Sequence, residues 1–224
     1  MSESVKAVVF DAYGTLFDVH SVTALADEIF SGQGTALSAQ WRAKQLEYTW
    51  LQTLMGRYED FEAVTRAALD YACKALQLDC DSITCERLMR EYLRLKPFPE
   101  VGEALRALFR YRLAILSNGS PNMLNPLITN AGMQETFEHV ISVDELKIYK
   151  PDPRVYKLAC DKLSVDKTDI AFISSNFWDV SGSGHFGFRA FWINRVRAHP
   201  DPLGYAPVAT LGGLTELAQQ LTGR

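Results

Sequence analysis

This chain has no marked excess of charge, no long apolar run and no cysteine framework, and each absence removes a class of function. Its 224 residues carry 23 Lys and Arg against 27 Asp and Glu, a net charge of −4. Nothing therefore draws it as a whole to nucleic acid or to an anionic membrane, and an anionic ligand must be caught by a local cluster. The N-terminus has one Lys before an apolar run that Asp11 interrupts. That run is too brief for a signal peptide or a membrane span, and the expectation is a cytoplasmic protein. The four cysteines, Cys73, Cys80, Cys85 and Cys160, form no C-x-x-C pair and have no histidine at metal-like spacing. They read as buried or half-buried free thiols. Histidine is scarce, with four in the chain, and no Ser-His-Asp triad is suggested. His185 reads as a structural helix residue rather than a base.

What is present is ample apolar content, 47% of residues, enough for a sizeable core. Short apolar runs recur as "KAVVF", "RLAIL", "HVISV", "IAFIS" and "RAFWI", each with the look of a strand buried on both faces. Between them lie "PEVGEALRALF", "PNMLNPLITNAG" and "PRVYKLACDKL", with Pro at or near the start of a helix and Gly marking ends. Strand alternating with helix predicts an α/β, doubly wound, Rossmann-like parallel sheet, with ligands beyond the carboxyl ends of its strands.

From about Val19 to Leu95 the rhythm changes to long helical stretches, "SAQWRAKQLEYTWLQTLMG" and "YEDFEAVTRAALDYACKALQL". Trp41, Leu46, Trp50, Leu51 and Leu54 keep helical spacing there. The expected division is a core domain of residues 1–18 and 96–224 and an inserted helical cap domain of residues 19–95.

The residues just past the strands are Asp11 and Thr15, then Ser117 and Asn118, then Lys150, then Ser174, Ser175, Asn176 and Asp179. Each alone has an ordinary explanation: a turn cap, a loop hydrogen bond, a solvated lysine. Together they would converge on one edge of the sheet. Asp11, in "VVFDAYGTLFD", then stands as a nucleophile, a metal ligand or a cap.

The motifs "FDAYGTLFD", "LSNGSP", "YKPDPRVY" and "SSNFWD" resemble those of the haloacid dehalogenase superfamily, and of its L-2-haloacid dehalogenase branch in particular. "WRAKQLEYTWLQTLMGRYEDF" is similar to that branch's helical cap. Phosphatases of this superfamily place an acid two residues after the nucleophile and hold magnesium with a further acidic pair. Here Tyr13 stands in the first place, and "SSNFWD" offers Asn176 and a single Asp179, few hard oxygens for a metal. A halide leaves as a stable anion and needs neither acid nor metal.

The resemblance implies hydrolytic dehalogenation of short L-2-haloalkanoic acids to D-2-hydroxy acids with inversion, through a covalent ester on Asp11, with no metal and no cofactor. It makes Asp11 the nucleophile, Lys150 the ammonium that orients it, Thr15 and Ser174 its supports, and Asn176 and Asp179 the groups that position and activate water. Arg42, by its position a solvated helix charge, becomes the group that attracts the leaving halide, with Asn118. Ser117 and Asn118 offer donors to the substrate carboxylate. Tyr13, Leu46, Phe61 and Trp178 wall the apolar pocket, and Tyr156 is either a partner near Lys150 or a core tyrosine. Where relatives often have Gln after the arginine, this chain has Ala43, with open consequences for substrate range. Preferred halide and chain length, including use of fluoroacetate, are equally open. Family members are commonly dimers, for which the aromatic-rich cap offers a surface.

Two other classes compete with this reading: a phosphatase or phosphonate hydrolase of the same superfamily, and a catalytically silent binding protein on the same fold. "GSGHFG" from Gly182 fits the dinucleotide pattern G-x-G-x-x-G but starts eight residues after Ser174. Close packing of a helix on the sheet explains it better.

Overall fold

The computed structural model describes residues 5–223. β1 (Ala7–Phe10) is buried at every residue, as a strand must be with neighbours on both sides and helices on both faces. The chain then leaves the sheet for α1 (Thr23–Ile29), α2 (Gly34–Met55), α3 (Phe61–Ala75) and α4 (Ser82–Glu91), returning through α5 (Val101–Ala107) to β2 (Arg112–Ser117). There follow α6 (Pro121–Asn130), β3 (His139–Ser142), α7 (Pro153–Leu163), β4 (Ile170–Ser174), α8 (Phe177–Phe186), β5 (Arg189–Ile193), β6 (Ala209–Leu211) and α9 (Leu214–Thr222).

The six strands form one parallel sheet in the order β3-β2-β1-β4-β5-β6. The doubly wound sheet expected from the alternation is therefore present, with one more strand than the apolar runs predict. β6 is three residues long and only partly buried, so no apolar run announces it. β1 pairs with β2 on one side and β4 on the other. The direction of winding reverses there, which is where such sheets open a crevice for ligands.

Local chemistry sets the helix boundaries. Asp60 accepts from Ala63 N at the start of α3, Asp81 from Thr84 N at the start of α4, and Asp152 from Arg154 N just before Pro153 opens α7. Each satisfies an amide that has no partner within the helix. α2 buries Leu37, Ser38, Trp41, Gln45 and Thr49, so its inner face is partly polar. Helical spacing holds for the aromatic and leucine positions read from the sequence, but Leu51 and Leu54 are 41% and 82% exposed. The segments entering and leaving the helical insert run side by side: Asp18 N donates to Lys96 O at 2.8 Å and Phe98 N to Leu16 O at 3.1 Å.

The reading of all four cysteines as free thiols is corrected. Cys80 and Cys85 form a disulfide with their Cα atoms 5.8 Å apart, while Cys73 and Cys160 are free. The pair flanks the Asp81 cap, whose turn folds five residues of chain back on themselves, a proximity that no spacing rule for metal or redox motifs anticipates. Among the described residues no helix is long and apolar enough to cross a membrane.

Candidate active site

The backbone of Asp11 closes the ladder between β1 and β4, its N–H donating to Ile173 O at 2.9 Å. Its side chain is thereby delivered to the mouth of the switch point, where it is 6% exposed. The two carboxylate oxygens have different surroundings. Oδ2 accepts from Asn176 Nδ2 at 2.9 Å, Thr15 Oγ1 at 3.0 Å and Ser174 Oγ at 3.4 Å. Oδ1 accepts from Lys150 Nζ at 3.2 Å. The turn that makes this possible passes through Gly14 at φ +87°, a conformation that costs a residue with a Cβ.

Lys150 is fully enclosed and also donates to Asp179 Oδ2 at 2.9 Å. The solvated-lysine reading is thus excluded. Burial disfavours its ammonium, but the two carboxylates outweigh that and raise its pKa, so it is charged at neutral pH. Asp179, on the first turn of α8, takes its second hydrogen bond from Tyr156 Oη to Oδ1 at 2.8 Å. Burial pushes the Asp179 carboxyl up to about 6; Lys150 opposes the shift and the charge of Asp11 adds to it. Tyr156 is both things the sequence allowed, a core tyrosine and a site residue, but its partner is Asp179 rather than Lys150.

Asn176 is hydrogen-bonded directly to the nucleophile. Its Nδ2 donates to Asp11 Oδ2 and, at 3.3 Å, to Tyr13 O. Two oxygens that a hard cation would use are thus already facing an amide N–H. Among the described residues no group of three or more His, Cys, Asp and Glu side chains could hold a metal ion.

The inserted helices reach the same place from above. Arg42 donates through Nη2 to Tyr13 O at 3.2 Å and through Nη1 to Gln45 Oε1 at 2.7 Å. Burial lowers its pKa. Gln45, which the sequence reading passed over, is fully buried and donates in turn to Thr65 Oγ1 at 2.7 Å. Polar residues on the inner face of a helix are the signal that would have found it. Ala43, next to Arg42, is exposed.

Phe61 opens α3 and packs its ring on Tyr13 with centroids 5.2 Å apart. Tyr13 is buried, its hydroxyl has no hydrogen-bond partner among the described residues, and burial raises its pKa. Leu46 is half-buried one helical turn beyond Arg42. Trp178 is half-buried and meets Trp50 of α2 edge to face, centroids 5.5 Å apart. Ser117 and Asn118 lie buried past β2: Ser117 Oγ accepts from Gly119 N at 3.0 Å, and Asn118 Oδ1 from Lys150 N at 3.0 Å. Asn118 thus ties the β2 loop to the lysine.

The glycines of "GSGHFG" do serve close packing, but not on the sheet. A Cβ at Gly182 would meet Pro151 and Tyr156, and one at Gly184 the ring of Tyr205.

A doubly wound sheet with an acid, a lysine and a second acid buried at its switch point is the frame of a hydrolase that works through a carboxylate. A family model described as haloacid dehalogenase-like hydrolase matches residues 5–187. The chain is 47% identical to the (S)-2-haloacid dehalogenase of Pseudomonas sp. (strain YL) over 98% of its own length and 97% of that protein's. It is 48% identical to haloacetate dehalogenase H-2 of Moraxella sp. (strain B), over 93% and 94% of the two chains. It superposes with a TM-score of 0.94 on the L-2-haloacid dehalogenase of Xanthobacter autotrophicus solved with chloropropionic acid covalently bound, at 38% identity, covering 98% of this chain and 99% of the other. The chain belongs to the haloacid dehalogenase-like hydrolase family.

Proposed function

We propose that this chain is an (S)-2-haloacid dehalogenase that hydrolyses short L-2-haloalkanoic acids to D-2-hydroxy acids, without a metal, through an ester on Asp11. The observation that carries this reading is the asymmetry of the Asp11 carboxylate: three donors hold Oδ2, and the Lys150 ammonium orients Oδ1. An acid so fixed beside an enclosed cation is poised as a nucleophile.

Oδ1 attacks C2 opposite the carbon–halogen bond. The halide departs with the bonding pair toward Arg42 and Asn118, and C2 inverts. Ser117, Asn118 and neighbouring amides bind the substrate carboxylate, while Tyr13, Leu46, Phe61 and Trp178 keep bulk water from C2. Water then attacks Cγ of the ester as Asp179 takes its proton. Charge develops on Oδ2, where Thr15, Ser174 and Asn176 already donate, as in an oxyanion hole. The bond from Cγ to Oδ1 breaks as Asp179 passes its proton to the departing alkoxide, and Asp11 retains the oxygen that came from water and sheds that oxygen's remaining proton to solvent. Tyr156 and Lys150 hold Asp179 throughout.

The division into a core of residues 1–18 and 96–224 and a helical cap of residues 19–95 goes with this reading, because Arg42, Leu46 and Phe61 enter from the insert. So does a cytoplasmic homodimer, for which the exposed Leu51, Leu54, Met55 and Tyr71 of α2 and α3 supply an apolar surface. Light scattering of the purified protein tests the dimer.

The reaction is tested by halide release from L-2-chloropropionate in the presence of a chelator. No release across a panel of small 2-haloacids, or release only with magnesium, overturns the proposal. A single turnover in heavy-oxygen water should place the label in the peptide containing Asp11 and leave the first hydroxy acid unlabelled.

A further inference from the structure

Arg195 follows β5 and lies behind the two loops that hold Asp11. Its Nη1 donates to Ser175 Oγ at 2.9 Å and, at 3.5 Å, to Gly14 O; its Nη2 donates to Thr15 O at 3.0 Å. Its Nε donates to Glu100 Oε1 at 2.9 Å, and the guanidinium stacks over Phe98 at 3.8 Å from the ring centre. Every nitrogen of the group therefore has an acceptor. These acceptors come from three segments: the turn after β1, the turn after β4, and the segment by which the chain returns from the helical insert.

What those contacts hold is one step from the nucleophile. Thr15 Oγ1 donates to Asp11 Oδ2 and accepts from Ser175 N at 2.9 Å. Ser175 O in turn accepts from Trp192 Nε1 at 3.1 Å. The amides of this turn bond within it, Thr15, Leu16 and Phe17 N to Ala12 O and Gly14 N to Phe17 O. The carbonyls of Gly14 and Thr15 instead face outward to Arg195, so the guanidinium sets how the turn as a unit is placed and with it where Thr15 stands. We propose that Arg195 is a positioning residue: its planar fork fixes the Gly14–Thr15 turn and Ser175, and through Thr15 the orientation of the Asp11 carboxylate, while Glu100 and Phe98 tie that fork to the return segment of the insert. A lysine has one point of charge and cannot serve this set of acceptors.

The inference rests on the dehalogenase reading for its kinetic consequence, but not for its structural one. In Arg195→Ala, kcat for L-2-chloropropionate falls by about 10- to 100-fold with KM changed by less than about threefold, because the substrate carboxylate site is untouched. Arg195→Lys, which retains charge and most of the volume, falls likewise. Added guanidinium restores part of the kcat of Arg195→Ala, and methylammonium at the same concentration does not. Deuterium uptake of the peptide spanning residues 11–18 quickens in both variants while that of α6 does not. Uptake needs no substrate, so a wild-type chain that releases no halide overturns the dehalogenase reading alone. Unchanged uptake in the turn, full activity in the lysine variant, or a loss carried entirely by KM overturns the role of Arg195.

Discussion

Lys150 and Asp179 form an ion pair at 2.9 Å that is closed to solvent on both sides. The same ammonium reaches Asp11, so one cation neutralises two buried acids. Lys150→Met leaves both carboxylates without it. Breaking such a pair typically costs about 3 to 5 kcal/mol, because an uncompensated charge stays buried. The expected outcome is a folded but destabilised variant, read by urea unfolding, with no measurable halide release.

The pH profile follows from Asp179. In the native chain its carboxyl lies at about 6, against 3.8 for an unperturbed aspartate. Between these values the native state binds more protons than the unfolded one, so this group's contribution to stability falls as pH rises from about 4 to about 6. Replacement by Asn removes that part of the slope, which unfolding curves of the two proteins across this range would reveal. The base must also be ionised to work. Ester hydrolysis should therefore slow by roughly tenfold per pH unit below about 6, and the mass of a substrate adduct on Asp11 should appear in acid-quenched samples. Asp179→Asn should accumulate that adduct at neutral pH; loss of the alkylation step instead would move Asp179 to a purely supporting role.

The apolar strand runs and the polar residues after them made the sheet and most of the site legible, because a buried parallel strand leaves a simple pattern and its carboxyl end has a known use. Arg195 obeys the same rule, standing just past the fifth strand. The contacts of Gln45 and Trp50 were hidden for a different reason. Their partners, Arg42 and Thr65 for one and Trp178 for the other, lie within the insert or across it, and no periodicity encodes a contact between elements. Leu51 and Leu54 misled in the opposite direction, since apolar residues at helical spacing need not be on the buried face. The Cys80–Cys85 pair depends on the fold of one capping turn, and β6 on a register that three residues, none of them fully buried, cannot advertise.

Gln45 should set how Arg42 is presented. Its orientation is fixed because Oε1 accepts from Arg42 while Nε2 donates to Thr65. Gln45→Met keeps the volume and removes both bonds, at a cost of about 1 to 3 kcal/mol for the polar groups left unpaired. If Arg42 receives the halide, kcat falls by about tenfold or more, and the loss is larger for 2-chloropropionate than for 2-bromopropionate. The poorer leaving group leans more on anion stabilisation in the transition state. An equal loss for both halides in steady-state kinetics would separate Gln45 from the departing anion.

Gly182 tests the far side of Asp179. A Cβ there would stand 2.6 Å from Pro151 Cβ and 2.7 Å from Tyr156 Oη. The second of these is the hydroxyl that donates to Asp179 Oδ1. Tyr156 is enclosed and stacks edge to face on Phe172, so its ring has little room to retreat. Gly182→Ala should therefore shift the hydroxyl away from Asp179, at a cost of about 1 to 3 kcal/mol for overpacking. Asp179 then loses a donor that favours its ionised form, and the acid limb of ester hydrolysis moves to higher pH. Alkylation of Asp11 is affected less, since Lys150 still orients Oδ1. A rapid-quench comparison of the two half-reactions in Gly182→Ala resolves this: an equal slowing of both would mean that the clash is transmitted through Pro151 to Lys150 rather than through Tyr156 to Asp179.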